Sequence, residues 1–214
     1  MPRLLDKGLE QLTALVFKMG EASEKALTIA IGGFLRGKDT STDVHELSEI
    51  LVSMTVEVEE KAFALIAKYQ PVASDLRIIN SHMKIAYDFE RYGRYAWDIS
   101  YMYKRLGGLK DCEEWIPQFI EDMSDKVFKM VRISINSLKT QNTELAKTIS
   151  KTEQEIDEMY FQYLDKLMKE AHATSQCTIS SVLVVRYLER IADHATYIAE
   201  AVVYIATGQK IALR

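Results

Sequence analysis

Apolar residues recur every three to four positions along nearly the whole chain, broken only by short polar or glycine-bearing stretches, which is the period of amphipathic helix. The pattern predicts six helices, at roughly 4–36, 42–69, 74–105, 116–140, 143–171 and 177–207. Pro71 ends the second of these, because a proline disfavours helical backbone at the residue before it, and Ser74 stands where it can cap the third. Gly107 and Gly108, the polar run Asp111–Glu114 and Pro117 just inside the fourth helix mark the middle of the chain.

That midpoint divides an internal repeat. In the third helix a seam runs Ile78, His82, Ile85, Phe89, Tyr92, Ala96, Ile99, Tyr103, and in the sixth it runs Leu188, Ile191, Ala195, Ile198, Val202, Ile205. An offset of 99 residues aligns Phe89 with Leu188, Tyr92 with Ile191 and Ala96 with Ala195. Alternating steps of four and three favour close, shallow-angle packing as in helical bundles. The predicted fold is therefore all-α: two tandem three-helix bundles, residues 1–108 and 109–214, related by a pseudo-twofold axis.

Composition narrows the function classes. A chain of 214 residues can bury a core without cross-links, and three prolines with nine glycines leave little room for turn-rich β architecture. Cys112 and Cys177 stand 65 residues apart in no zinc or haem spacing and read as reduced thiols of a cytoplasmic protein. A net charge of −4 gives no basic excess for nucleic acid. Asp6 follows Leu4 and Leu5 too early for a signal-peptide core, and no 18-residue uncharged run follows, so neither export nor a membrane span is expected.

The sharpest local signal is Glu189-Arg190-Ile191-Ala192-Asp193-His194, with Glu200 further on. Glu189 and Asp193 are spaced i, i+4, and with Glu200 they form a stripe roughly 150° from the apolar seam, which predicts that it faces outward. Like charges at this spacing cost a helix a few tenths of a kcal/mol, so the stripe calls for a compensating cation. Glu153 and Asp157 form a second such pair on the fifth helix, and a hairpin of helices five and six would bring the pairs together. Four carboxylates without cysteine suit magnesium, manganese, calcium or iron, divalent or ferric, better than zinc. Spacing alone leaves open the alternative of a solvated acidic face neutralised by Arg186 and Arg190.

Glu189 to Glu200 with the ending Ala206-Thr207-Gly208-Gln209, Met19-Gly20-Glu21, Gln70-Pro71-Val72-Ala73 leading into Asp75-Leu76-Arg77, and Phe89-Glu90-Arg91 occur in the order seen in one family. Over essentially its whole length the chain resembles the PhoU family of phosphate-uptake regulators. The resemblance implies a cytoplasmic adaptor, not an enzyme, that couples a phosphate ABC transporter ATPase to a sensor histidine kinase and represses the starvation response when phosphate is plentiful. Some relatives bind metal clusters, iron included, through paired carboxylates on adjacent helices. Carried over, that implies Glu153, Asp157, Glu189 and Asp193 as metal ligands, with Glu200 as an extra one. In the first repeat Glu90 matches, but Arg94 stands where the second carboxylate belongs and Ser48 and Val52 where its partner pair would be, so this half is expected to have lost its site. Asp98, Glu57, Glu59 and Glu60 could rebuild one in another geometry. Tyr197 falls where relatives often carry asparagine.

Other signals weigh less. Gly32 to Lys38 spells G-x-x-x-x-G-K, but Asp39 replaces the magnesium-binding hydroxyl and no strand precedes it, so the glycines read as a helix end. Ferritin-like oxidases need Glu-x-x-His, and none of His45, His82, His172 and His194 has a glutamate three residues before it. A metal-storage or metal-dependent redox protein using the same carboxylates is the alternative function. Tyrosines crowd the third helix together with Trp97, and the off-seam aromatics, like the family analogy, suggest a homodimer.

Overall fold

The computed structural model describes residues 3–170 and 175–214. Met1, Pro2, His172 and the last residue of the fifth expected helix lie outside the described residues. The helices are α1 (Leu4–Leu35), α2 (Ser41–Tyr69), α3 (Ala73–Leu106), α4 (Trp115–Thr140), α5 (Thr143–Lys147), α6 (Ile149–Glu170) and α7 (Gln176–Thr207). No strand occurs among the described residues. One expected helix is thus split in two: the Thr148 N–H and hydroxyl both bond back to the Leu145 carbonyl, at 3.2 and 2.7 Å, closing a turn three residues long rather than four.

Helix ends follow the local chemistry with one correction. Gln70, before Pro71, takes a left-handed φ of 45° and closes α2. Helix α3 then begins at Ala73 behind an extended Val72, so Ser74 lies inside the first turn and is not its cap. Gly107, at φ 79°, closes α3 by donating its N–H to the Tyr103 carbonyl. The G-x-x-x-x-G-K stretch straddles the end of α1, with Gly37 left-handed at φ 67°.

Helices α1, α2 and α3 pack as one bundle and α4 to α7 as the second; α3 lies along α7 and α1 against α4 where the two meet. Exchanging α1 with α4, α2 with α6 and α3 with α7 maps one set of contacts onto the other, which is the pseudo-twofold relation read from the repeat. The α7 seam is buried throughout, and that of α3 is buried from His82 to Ile99. Phe89 sits at the junction: a Cβ on Gly20 of α1 would come within 3.1 Å of its ring and 3.5 Å of Ile135 on α4. Tyr92, also fully buried, reaches across to Ser134 of α4.

Close approach also explains Gly93, the counterpart of Ala192 at the repeat offset. Helix α2 crosses so near that a Cβ at Gly93 would lie 2.5 Å from Cδ1 of Leu51, a fully buried side chain. Gly93→Ala is therefore expected to lower stability by about 1–3 kcal/mol, the cost of overpacking, although alanine is the better helix former. A urea midpoint unchanged or raised by this substitution would contradict the packing account.

The two cysteines correct the reading of reduced thiols. Cys112, between α3 and α4, and Cys177, in the first turn of α7, form a disulfide with Cα atoms 5.5 Å apart. Their separation along the chain carries no motif, and only the folding of the α3–α4 connection onto the start of α7 brings them together.

Candidate metal centre

Helix α6 contributes Glu153 and Asp157, one turn apart, and α7, packed along it, contributes Glu189 and Asp193 at the same spacing. The four carboxylates feel one another. Burial pushes the Glu153 carboxyl up to about 7, and the negative charges of Asp157, Asp193 and Glu189 add to that rise while Arg214 opposes it. Burial followed by Asp193 raises Asp157, and burial followed by Asp193 also raises Glu189, against the pull of Arg186 and Arg190.

The outward orientation expected of this stripe needs correction. Of its three members Asp193 is buried, at 6% exposed, while Glu189 and Glu200 are half-buried; Glu153, of the second pair, is 3% exposed. Helix α7 is packed by α3, α4, α5 and α6, and this surrounding leaves Asp193 little exposure. Helical angle fixes where a side chain stands on its own helix, whereas exposure depends on what lies over it.

Cations hold half of the cluster. Arg186 Nη1 binds Glu189 at 2.7 Å, Arg190 Nη1 binds Asp193 Oδ2 at 2.8 Å, and Arg214 Nη1 approaches Asp193 Oδ1 at 3.5 Å. Glu153, buried, and Asp157, exposed, have no ion-pair partner within reach among the described residues, although the charge of Arg214 acts on both and that of Arg186 on Asp157. Glu200 is held elsewhere: its Oε1 accepts the Leu213 N–H at 2.9 Å, and it lines a 560 Å³ cavity between α3, α7 and the segment that follows α7.

An all-oxygen carboxylate donor set has the donor chemistry of a hard-cation site. Among the described residues, however, no three His, Cys, Asp or Glu side chains are arranged to hold a metal ion. Glu189 is turned to Arg186, and Asp193 to Arg190 and Arg214. The donor type is that of a hard-cation site, but the arrangement of these side chains is not one that holds an ion.

In the first repeat Arg94 pairs with Glu90 at 3.9 Å and reaches Glu49 of α2 at 3.3 Å, so a guanidinium stands where a second carboxylate would complete a pair. A buried pair between the repeats went unread in the sequence: His194 Nδ1 lies 2.8 Å from Asp88 Oδ1. Burial raises the Asp88 carboxyl, and the other ring nitrogen of His194 has no partner. Tyr87, Tyr95 and Tyr197 enclose the imidazole. These two residues lie 106 positions apart on different helices, and no local spacing links them.

The PhoU domain matches the sequence twice, over residues 16–102 and 120–202. The chain belongs to the PhoU family. Among its relatives is the phosphate-specific transport system accessory protein PhoU homolog of Clostridium acetobutylicum, 31% identical over 99% of this chain and 98% of that protein. The corresponding homolog of Zymomonas mobilis is 30% identical over 98% of the chain and 89% of its own length. In three dimensions this PhoU-family chain superimposes on the crystal structure of PhoU from Pseudomonas aeruginosa with a TM-score of 0.88 at 26% identity, covering 95% of this chain and 99% of that one. The match to PhoU of Streptococcus pneumoniae, with a TM-score of 0.72 at 22% identity, speaks to the fold. Among the described residues no helix is long and apolar enough to cross a membrane.

Proposed function

We propose that this chain is a non-enzymatic accessory regulator of phosphate-specific transport, acting as a cytoplasmic adaptor between the ATPase of a phosphate ABC transporter and a sensor histidine kinase. The observation that carries the reading is end-to-end likeness to proteins named as phosphate-specific transport accessory proteins, with both repeats matched. A rigid two-bundle body suits an adaptor, because its surface is set by a continuous core rather than by mobile loops. Exposed Tyr87 and Tyr101, with Trp97 beside Tyr101, supply aromatic surface of the kind enriched at interfaces, and a homodimer is part of the proposal. In a reducing cytoplasm Cys112 and Cys177 would stand as adjacent thiols.

The second repeat carries a metal ion in this proposal, held by Glu153, Asp157, Glu189 and Asp193, with iron, manganese, magnesium or calcium matching the oxygen donors. Glu200, bonded to the Leu213 amide, is left outside the set. The ion would neutralise the crowded carboxylates and set the shape of the α6–α7 surface.

Two experiments test the reading. The chain, purified without chelator, should retain a co-encoded phosphate transporter ATPase in a pull-down, and failure to bind either that ATPase or a sensor kinase would remove the adaptor role. Elemental analysis should find metal in the wild-type protein and at least a tenfold lower content in the Glu189→Ala, Asp193→Ala double variant. Full metal content in the variant would refute these ligands.

A further inference from the structure

The segment after α7 turns back on the bundle and walls a space between α3 and α7. Gly208, at φ 73°, ends the helix. Lys210 and Ile211 then line the 560 Å³ cavity, and the segment is held down by the Leu213 N–H, which bonds Glu200 at 2.9 Å, and by the buried Leu213 side chain. Small-molecule sites usually enclose roughly 300–1,000 Å³, so the space is of ligand size.

The lining changes character from one end to the other. At one end stands Asp88, 6% exposed, whose Oδ1 is hydrogen-bonded to His194 and whose Oδ2 has no partner among the described residues. Tyr87 and Tyr197 adjoin this end, their ring centres 6.3 and 5.4 Å from that of His194. Arg214 already lies 4.3 Å from the centre of the Tyr197 ring, which leaves Tyr87, 54% exposed, as the freer aromatic surface. At the other end the Lys210 ammonium and the Arg77 guanidinium lie 5.8 and 5.9 Å from the centre of the Tyr204 ring. His194 marks the level of Asp88 on α7, and Tyr204 follows ten residues later, about 15 Å along the helix axis. Both carboxylates of the lining are already engaged, Glu200 by the Leu213 amide and Asp88 by His194. Lys84 and Lys210 make no ion pair among the described residues, although the charge of Lys84 acts on Asp88.

We infer that this cavity binds a purine nucleoside di- or triphosphate, with the base beside Tyr87, its amino group on Asp88 and its phosphates at Lys84 and Lys210. A purely anionic ligand would meet the buried carboxylate at one end, and a purely apolar one would cover that carboxylate and the lysines without pairing them. The occupant must therefore offer a hydrogen-bond donor on a flat face at one end and negative charge at the other. The exocyclic amino group of adenine or guanine donates to a carboxylate, and the fused rings stack on an aromatic side chain. Lysine binds phosphate as a point charge, which suits two ammonium groups on separate elements. The distance between the two ends asks for a chain of phosphates rather than one.

Calorimetric titration tests the inference, with chelator present so that no metal ion bears on the result. ATP, GTP and inorganic tripolyphosphate are titrated into wild type, the Lys84→Glu, Lys210→Glu double variant and Tyr87→Ala. All three side chains are exposed, so these substitutions leave the core intact. At least one of the two nucleotides should bind wild type about tenfold more tightly than tripolyphosphate, which carries the charge but no base. The double charge reversal should weaken that nucleotide about tenfold, and Tyr87→Ala about fivefold, the low end of the loss when a base is deprived of an aromatic partner. No binding of either nucleotide at millimolar concentration, tripolyphosphate bound as tightly as both, or full affinity in either variant would overturn the site.

Discussion

Phe89→Ala is expected to cost about 3–5 kcal/mol of unfolding free energy, the range for emptying a fully buried aromatic position. Phe89 is 0% exposed and stands where α1, α3 and α4 meet, with Gly20 on one side and Ile135 beyond it, so the void opens at the contact between the repeats. Neighbours cannot close it easily, because the helices on either side belong to different bundles and each is fixed by its own seam. Urea denaturation followed by circular dichroism measures the loss. Phe63→Ala, at a site 59% exposed, provides the control and should change stability by less than about 0.5 kcal/mol. A loss below about 1 kcal/mol at Phe89 would mean that the junction is not packed as described.

The second large effect concerns pH. Glu153 releases its proton at about 7 in the folded protein but near 4.5 when nothing perturbs it, as in the unfolded chain. Between those values the folded state binds more protons than the unfolded one, so stability falls as pH rises. The contribution is complete below about 4.5 and is lost as the pH passes through about 7. Asp157 and Glu189, raised by burial and by the same neighbours, act in the same direction. Glu153→Gln keeps the shape without the charge. In chelator it should equal wild type near pH 4.5 and exceed it at pH 8 by about 1–2 kcal/mol, a figure reduced to allow for solvent screening. Thermal unfolding at the two pH values reads the difference directly, and parallel pH profiles for the two proteins would show that Glu153 ionises without strain. Manganese at pH 8 should reverse the order, because a bound ion stabilises the ionised glutamate that the variant lacks.

The charge relations in the cluster were partly visible in advance. Glu153 with Asp157 and Glu189 with Asp193 stand one helical turn apart, and helical geometry alone places each pair on one face. That α6 would lay its pair against that of α7 followed from the hairpin expected of neighbouring amphipathic helices. In the first repeat, the ion pair between Arg94 and Glu90 followed from their i, i+4 spacing.

What the residues determine unaided is whatever depends on neighbours within a turn or two: helix positions, the ends at Gln70 and Gly107, the seams of α3 and α7, and the duplication that makes two bundles. The helical period is a local property, and it survives any arrangement of the helices. The split at Thr148 was missed because it depends on a single turn closing three residues back instead of four. The burial of Asp193 and Glu153, the disulfide between Cys112 and Cys177, the Asp88–His194 pair and the docking of Arg214 on Asp193 belong to another class. Each joins groups far apart along the chain, or depends on which helix covers a face already polar by pattern. Packing of α7 among four other helices decides those outcomes, since a charged side chain is exposed or enclosed by its surroundings and not by its place in the period.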